Sequence, residues 1–210
     1  MRSYHQYCGV AKALDVIGDR WTLLIVRELM IRERCRYTDL LDGLPGIATN
    51  LLAERLQELE RAGIVSRHAA APPIATTLFE LTSRGKELER VVQAIGRWGG
   101  PLTTKRSSKD RFRSHWMALP AELHLKDHAP ARRPITIELR CGDEPMVIEA
   151  GGGHVRIREG SAQKPNLVLT GRPEVIVALM TRRMSADAAR AAGVRFQGDV
   201  RVLRRVLPRT

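Results

Sequence analysis

Asparagine, glutamate and glutamine recur between Ala48 and Arg61 at intervals that gather them on one side of a helix. At about 100° per residue, Asn50, Glu54, Gln57 and Arg61 fall opposite Leu52, Leu56 and Leu59. An amide side chain holds a donor beside an acceptor, the pattern that grips adenine through N6 and N7 in the major groove, and a helix is about as wide as that groove. Asn50 suits that contact, Gln57 can do likewise, and Thr49, Glu54 and Arg55 complete the polar set. Thr38 and the exposed amides near Ala48, extended by Arg67 and His68, suit phosphate oxygens, which fix register but carry no sequence information. The plainer reading is an amphipathic surface helix whose polar face is only solvated.

The flanking elements favour the first reading. Val10, Ala13, Leu14 and Ile17 recur at three and four, which predicts a short helix ended by Gly18. Asp19 then caps a second helix over 21–30, with Leu24, Ile25 and Leu29 as core candidates. An amphipathic turn at 36–41 leads to Asp42-Gly43-Leu44-Pro45-Gly46, where glycines and proline turn the chain into the polar-faced helix. Segments 64–67 and 78–81 read as strands of a hairpin whose tip holds Pro72-Pro73. Thr82 caps one helix to about Trp98, with Leu88, Val91, Val92, Ile95 and Trp98 as its apolar stripe. Helix, turn, helix and hairpin in this order form a device for reading duplex DNA.

Residues 102–113 are polar and basic, the expected linker, and 111–123 is helical around Phe112, Trp116 and Leu119 until Pro120 interferes. Beyond Pro134, strands are expected at 135–139, 146–148, 155–157 and 167–169. Pro173 starts a helix, Ser185 caps a short alanine-rich one, and a strand at 194–196 and a helix around 200–207 follow. The expectation is an N-terminal winged helix-turn-helix domain, mostly α with a β-hairpin wing, over 1–104, and a C-terminal α/β (α+β) domain over 105–210.

The 210 residues suffice for two cores, and 35 Lys and Arg against 23 Asp and Glu give a net charge of +12, which favours polyanions through counterion release. Residues 1–105 hold 15 basic and 12 acidic groups, 106–113 four and one, and the remainder 16 and 10. Charge alone therefore does not mark the DNA-reading half. Cys8, Cys35 and Cys141 show no zinc or disulfide spacing, so reduced thiols are expected. With no run of about 18 apolar residues and no apolar stretch after the basic N-terminal residue, neither a spanning helix nor a signal peptide is expected, and the expected location is cytoplasmic. Gly151-Gly152-Gly153-His154 lacks the Lys and Ser or Thr of a phosphate loop and reads as a hairpin turn. His124 and His128 sit at a loop end and are not read as a metal pair. No nucleophile, base and orienter can be placed together, so no enzyme, cofactor or metal is expected.

The segments CGVAKALDVIGDRWTLLIVREL, RYTDLLDGLPGIATNLLAERLQELERAGIV and LFELTSRGKEL resemble the HxlR-type winged-helix regulators over roughly residues 7–99. The resemblance implies a prokaryotic homodimer binding pseudo-palindromic double-stranded DNA as a transcriptional regulator, here expected to be a repressor. It also implies dimerisation through the N-terminal segment and the helix after the wing, which here present Val10, Leu14, Val91, Ile95 and Trp98. Cys8 stands where some members carry a thiol sensing oxidants or electrophiles, a role that needs a depressed pKa and access. Members often have a basic residue just after the wing prolines; Ile74-Ala75 here removes that basis for minor-groove contact.

The second half, through HVRIREG, PNLVLTGRPEVIVALM and GVRFQGDVRVLRRV, resembles the sterol carrier protein-like fold over most of 114–207. That implies an apolar cavity between sheet and helices for a small hydrophobic effector. A cavity filled by its own side chains is the alternative. At the level of the whole chain, the alternative is a carrier or sensor of apolar ligands whose winged helix serves mainly for dimerisation.

Overall fold

The computed structural model describes residues 3–70, 76–104 and 107–209; the wing prolines Pro72-Pro73 with Ile74-Ala75, and Lys105, lie outside the described residues. The chain divides into two compact units, Met1–Ile95 and Gly96–Thr210. The division falls within the helix after the wing, ahead of the expected boundary at 104/105. None of the described helices is long and apolar enough to cross a membrane.

The first unit opens with α1 (Gly9–Ile17) and α2 (Thr22–Arg32). Gly18 closes α1 as expected, its N–H donating to the Leu14 carbonyl at 2.9 Å. Asp19 does not cap α2: the N-cap is Trp21, held at φ 79, and the Asp19 carboxylate accepts from Arg55 instead. Ile25 and Leu29 are buried, but Leu24 is 40% exposed, because its neighbours in sequence already fill the inward side of α2.

A three-residue strand, β1 (Arg34–Arg36), which no apolar alternation announces, precedes α3 (Tyr37–Gly43). Then come α4 (Thr49–Arg61), β2 (Val65–Ala69) and β3 (Thr77–Leu81), and the three strands form an antiparallel sheet in the order β1-β3-β2. Cys35 and Phe79 are opposite each other across β1 and β3, and both are buried. The single helix expected after the wing is two, α5 (Ser83–Lys86) and α6 (Glu89–Gly99). Thr82 does cap, its Oγ1 accepting from the Gly85 N–H at 3.0 Å. A Cβ on Gly85 would stand 2.1 Å from the Ile64 carbonyl oxygen. This approach pins the first turn to the sheet, and the chain tightens at Glu87 and Leu88, which donate to carbonyls three residues back.

In the second unit a 3-10 turn, Ser114–Met117, runs into α7 (Ala118–His124). Pro120 does not interrupt α7, because it falls in the first turn, where a missing N–H forfeits no intrahelical bond. A five-stranded sheet follows, built from β4 (Ile135–Arg140), β5 (Met146–Gly151), β6 (His154–Glu159) and β7 (Leu167–Thr170), with α8 (Pro173–Met180) and α9 (Ala186–Ala191) preceding its last strand, β8 (Arg195–Gly198). The order is β6-β5-β4-β7-β8; β4 and β7 run parallel, and the other neighbours are antiparallel. One face carries Ile137, Leu139, Met146, Ile148, Leu167 and Leu169, which share a buried core with Met117, Ile176 and Leu179. A short α10 (Leu203–Val206) adds Leu203 and Val206 to that core.

The turn between β5 and β6 is the expected hairpin, with Gly152 and Gly153 at φ 60 and 87. It is fastened by Asp127, which is buried and accepts from the Gly153 and Ala129 N–H groups and, through two bonds of 2.7 and 3.0 Å, from Arg205 of α10. The Arg205 guanidinium, aided by the two amides and opposed by burial, holds the Asp127 carboxyl well below its ordinary 3.8. A group depressed in the folded state stabilises above its unfolded pKa and loses that contribution as pH falls below it. Asp127→Ala is expected to lower the unfolding free energy at neutral pH by about 3–5 kcal/mol, because it strands the buried Arg205 charge. The gap from wild type, read by urea unfolding, should narrow as pH drops from about 5 toward 2; a gap independent of pH would contradict this account.

Candidate nucleic-acid interface

The polar face of α4 exists because its other face is committed. Leu52, Leu56 and Leu59 are 0%, 3% and 2% exposed, whereas Thr49, Asn50, Glu54 and Gln57 are all exposed. No side chain caps the helix at Ala48. Its start is held from outside: the Tyr37 hydroxyl, at the first residue of α3, donates to the Thr49 carbonyl at 2.5 Å. Its end is a Schellman motif, in which the Ile64 N–H reaches the Leu59 carbonyl and the Gly63 N–H the Glu60 carbonyl. Gly63 stands at φ 68, where a side chain is strained, and Ile64 leads directly into β2.

The preceding helix is held just as closely. Asp39 of α3 accepts from the Arg36 N–H at 2.8 Å, closing its first turn, and Thr38 beside it is exposed. At the other end of α3, Gly43 abuts the fully buried Glu28 of α2: a Cβ there would lie 2.0 Å from Glu28 Oε2. Arg27 donates to Glu28 Oε1 through Nε and Nη2 at 3.0 and 2.5 Å. The turn into α4 passes over Trp21, whose ring edge is 3.9 Å from a Cβ built on Gly46, at φ 97.

Among the sequence-derived candidates, Thr38, Thr49, Asn50, Glu54 and Gln57 remain open to solvent on α3 and α4. The Gln57 Oε1 accepts a long 3.4 Å bond from Arg61. Arg55 is different. It stands only about 60° round the helix from Leu52, its side chain is 14% exposed, and its Nη1 donates to both Asp19 and Glu58. Its charge ties α4 to the α1–α2 turn, unlike the exposed side chains of the same helix.

The wing pair is split as well, since successive strand residues face opposite ways. Arg67 lies opposite Phe79 on the inner face and its Nε is 3.3 Å from Glu60 of α4. His68 lies on the outer face, with Nε2 3.0 Å from Glu80, whose carboxyl is lowered first by its bond from Arg34. Arg34 and Arg36 flank this outer face from β1, opposite Glu80 and Leu78. Sequence reasoning missed both, because a strand of three residues has too little alternation to be seen.

Val10, Leu14, Val91, Ile95 and Trp98 are all exposed, from 37% for Val91 to 78% for Trp98. Val91, Ile95 and Trp98 recur along one side of α6 at four and three. Tyr4 and Tyr7, which no periodicity singled out, are exposed beside them in sequence order before α1. The Tyr4 N–H and Ser3 hydroxyl donate to Asp15 of α1, both at 2.8 Å, and so fasten this segment.

Cys8 is the N-cap residue of α1 and is exposed, and the Ala11 and Val10 N–H groups lower its thiol pKa. Cys35 and Cys141 are buried, and burial pushes the Cys141 thiol up to about 12. His128 directs Nε2 to the Leu207 carbonyl at 3.0 Å.

A family match covers the first part of the chain. The description of HxlR-like helix-turn-helix proteins matches residues 16–107. An uncharacterized HTH-type transcriptional regulator of Synechocystis is 35% identical over 92 residues, 44% of this chain and 67% of that one. The uncharacterized HTH-type transcriptional regulator YvaP of Bacillus subtilis is 33% identical over 41% of this chain and 80% of its own. The HTH-type transcriptional regulator YodB of the same organism is 34% identical over 41% and 76%. The solved reduced form of YodB aligns with 45% of this chain and 92% of its own at 32% identity and TM-score 0.40.

Access and thiolate character together set alkylation rate. Iodoacetamide at neutral pH is expected to modify Cys8 at least about tenfold faster than Cys35 or Cys141 in the folded protein, measured by peptide mass spectrometry over time; comparable rates for the three would refute the burial pattern.

Proposed function

The chain belongs to the HxlR-like helix-turn-helix family, and from that premise we propose that it is a transcriptional repressor that reads duplex DNA as a homodimer. The observation that carries the reading is the one-sided burial of α4, which leaves Asn50, Glu54 and Gln57 exposed on a rigid helix. Two such helices in a symmetric dimer address half-sites about one DNA turn apart. Asn50 and Gln57 hydrogen-bond base edges, while Thr38 and Thr49, with the outer face of the wing at His68, meet phosphates.

The dimer reading is supported by the apolar side chains that the first unit leaves in water. Tyr4, Val10, Leu14, Val91 and Ile95 are all exposed by more than a third, an unusual concentration for a monomer. A cytoplasmic site of action accords with this role. Cys8, exposed and with a lowered pKa, is assigned to oxidant sensing; DNA affinity unaffected by its selective alkylation would end that role.

For the second unit, the sterol carrier protein-like reading is supported by its element order and by sequence resemblance. Its sheet–helix layer is occupied by Met117, Leu139, Met146, Ile176 and Leu179, so an apolar effector enters only by displacing them. Native mass spectrometry of the purified protein tests for such a lipid, and a ligand-free mass argues for a self-filled core.

Asn50→Ala is expected to cost about 1–3 kcal/mol on the cognate site and little on random duplex. Equal losses on both DNAs, in competition binding after selection of the operator from random sequences, would remove the base-reading role. Ile95→Asp is expected to shift the protein to monomer in sedimentation velocity, and a variant that stays dimeric places the interface elsewhere.

A further inference from the structure

The first unit carries 13 Lys and Arg against 12 Asp and Glu, whereas the second carries 22 against 11. Nearly all of the net charge thus belongs to the unit that lies mostly beyond the family match, and part of it converges on one feature of the sheet.

At the carboxyl ends of the parallel neighbours β4 and β7 the chain leaves in opposite directions. From β4 it turns into β5, on one side; from β7 it passes through α8 and α9 to β8, on the other. Where adjacent strands of an open α/β sheet diverge in this way, a crevice opens between the two loops, and such crevices are the usual ligand sites of open α/β sheets. Here the crevice is an open one of about 590 Å³, lined by Arg140 and Cys141 from β4 and its loop, Thr170, Gly171 and Arg172 from β7 and its loop, and Gly193 ahead of β8.

Strand register sets one more arginine on the sheet face that carries Arg140, on the strand next to the crevice but outside its lining. Arg140, Thr170 and Arg195 are paired across β4, β7 and β8, so their side chains share one face of the sheet, opposite the core. Glu138 holds Arg140 through Nε at 2.7 Å, and Glu174 holds Arg172 through Nη1 at 3.4 Å. The hydrogen bond from Arg140 and the ion pair of Arg172 orient the two guanidinium groups. Their remaining nitrogens, and all of those of Arg195, have no hydrogen-bond partner among the described residues. The Arg140 and Arg172 side chains are 54% and 68% exposed, so the donors are accessible to a ligand.

We propose that this crevice binds a small anion presenting a phosphoryl group, gripped by Arg140 and Arg172 with the Thr170 hydroxyl beside them, and reached by Arg195 from the neighbouring strand. Guanidinium forks match phosphate oxygens bidentately, and the two that line the crevice beside one hydroxyl supply more donors than a lone carboxylate can accept. The carboxylates of Glu138 and Glu174 beside the crevice are already paired with these two arginines, and among the described residues no carboxylate side chain lines it. The site belongs to the second unit, and its occupancy does not depend on whether the first unit reads DNA.

The test titrates the full-length protein with inorganic pyrophosphate at constant ionic strength, following amide chemical shifts and heat. One saturable site per protomer is expected, with shifts centred on Thr170, Gly171 and Gly193. The double variant Arg172→Gln/Arg195→Gln should bind about tenfold more weakly or worse, with the rest of its spectrum unchanged. Arg195→Gln alone, which removes a side chain with no bond to lose, should still weaken binding. Unsaturable shifts scattered over the arginine-rich surface, or affinity unchanged in the variants, would overturn the site. Random duplex DNA perturbing these amides where pyrophosphate does not would overturn the small-anion assignment.

Discussion

Three leucines in α4 set what this chain can do with the rest of that helix. At 13 residues α4 is about as long as an isolated helix needs to be to persist marginally in water, and it has no capping side chain. Burial of Leu52, Leu56 and Leu59, each stabilising by roughly 1.5–3 kcal/mol, supplies what local propensity lacks. The same burial fixes rotation about the helix axis, so Asn50 and Gln57 must face outward. Tyr37 at the start and Gly63 at the end then fix the helix lengthwise. A base-reading amide needs all of these constraints, because a hydrogen bond to a base edge fails with a shift of well under a helical step.

The partition of charge bears on how such a helix discriminates. With a winged unit close to neutral, general attraction to phosphate is weak there, and on the proposed reading binding rests more on directional contacts from α4 than on counterion release. Arg55 illustrates the economy. A cation on α4 is drawn inward to Asp19 and Glu58, where it ties the α1–α2 turn to α4.

Much of the first unit was legible from residue order because its helices are amphipathic and its breaks are marked by glycine. The 3.6-residue recurrence of Leu52, Leu56 and Leu59 placed α4 to within a residue at its start, and Gly18 and Gly63 marked ends that the structure keeps. What escaped depended on partners remote in sequence. β1 is a strand only because Cys35 meets Phe79 of β3, and the break between α5 and α6 follows from the contact of Gly85 with Ile64. Arg55 follows Glu54 and precedes Leu56 and Gln57 in the sequence, and only the angle about the helix axis reveals that it borders the buried side. Arg67 and His68 adjoin in sequence yet face opposite ways on β2, a consequence of strand alternation that grouping by residue type overlooked.

The arginine row of the second unit was invisible for the same reason, since Arg140, Thr170 and Arg195 become neighbours only once the strand order is known. Edge protection is one explanation for arginine on a sheet, because a charge on a terminal strand discourages pairing with another chain. It accounts for Arg195 on β8 and for Arg156 and Arg158 on β6, the two edges. It does not account for Arg140, on the central strand β4, whose two neighbours already satisfy the backbone. Nor does it reach Arg172, which lies past the end of β7 as the N-cap of α8. A guanidinium in either position discourages no pairing, and what the two share is the crevice between the diverging loops.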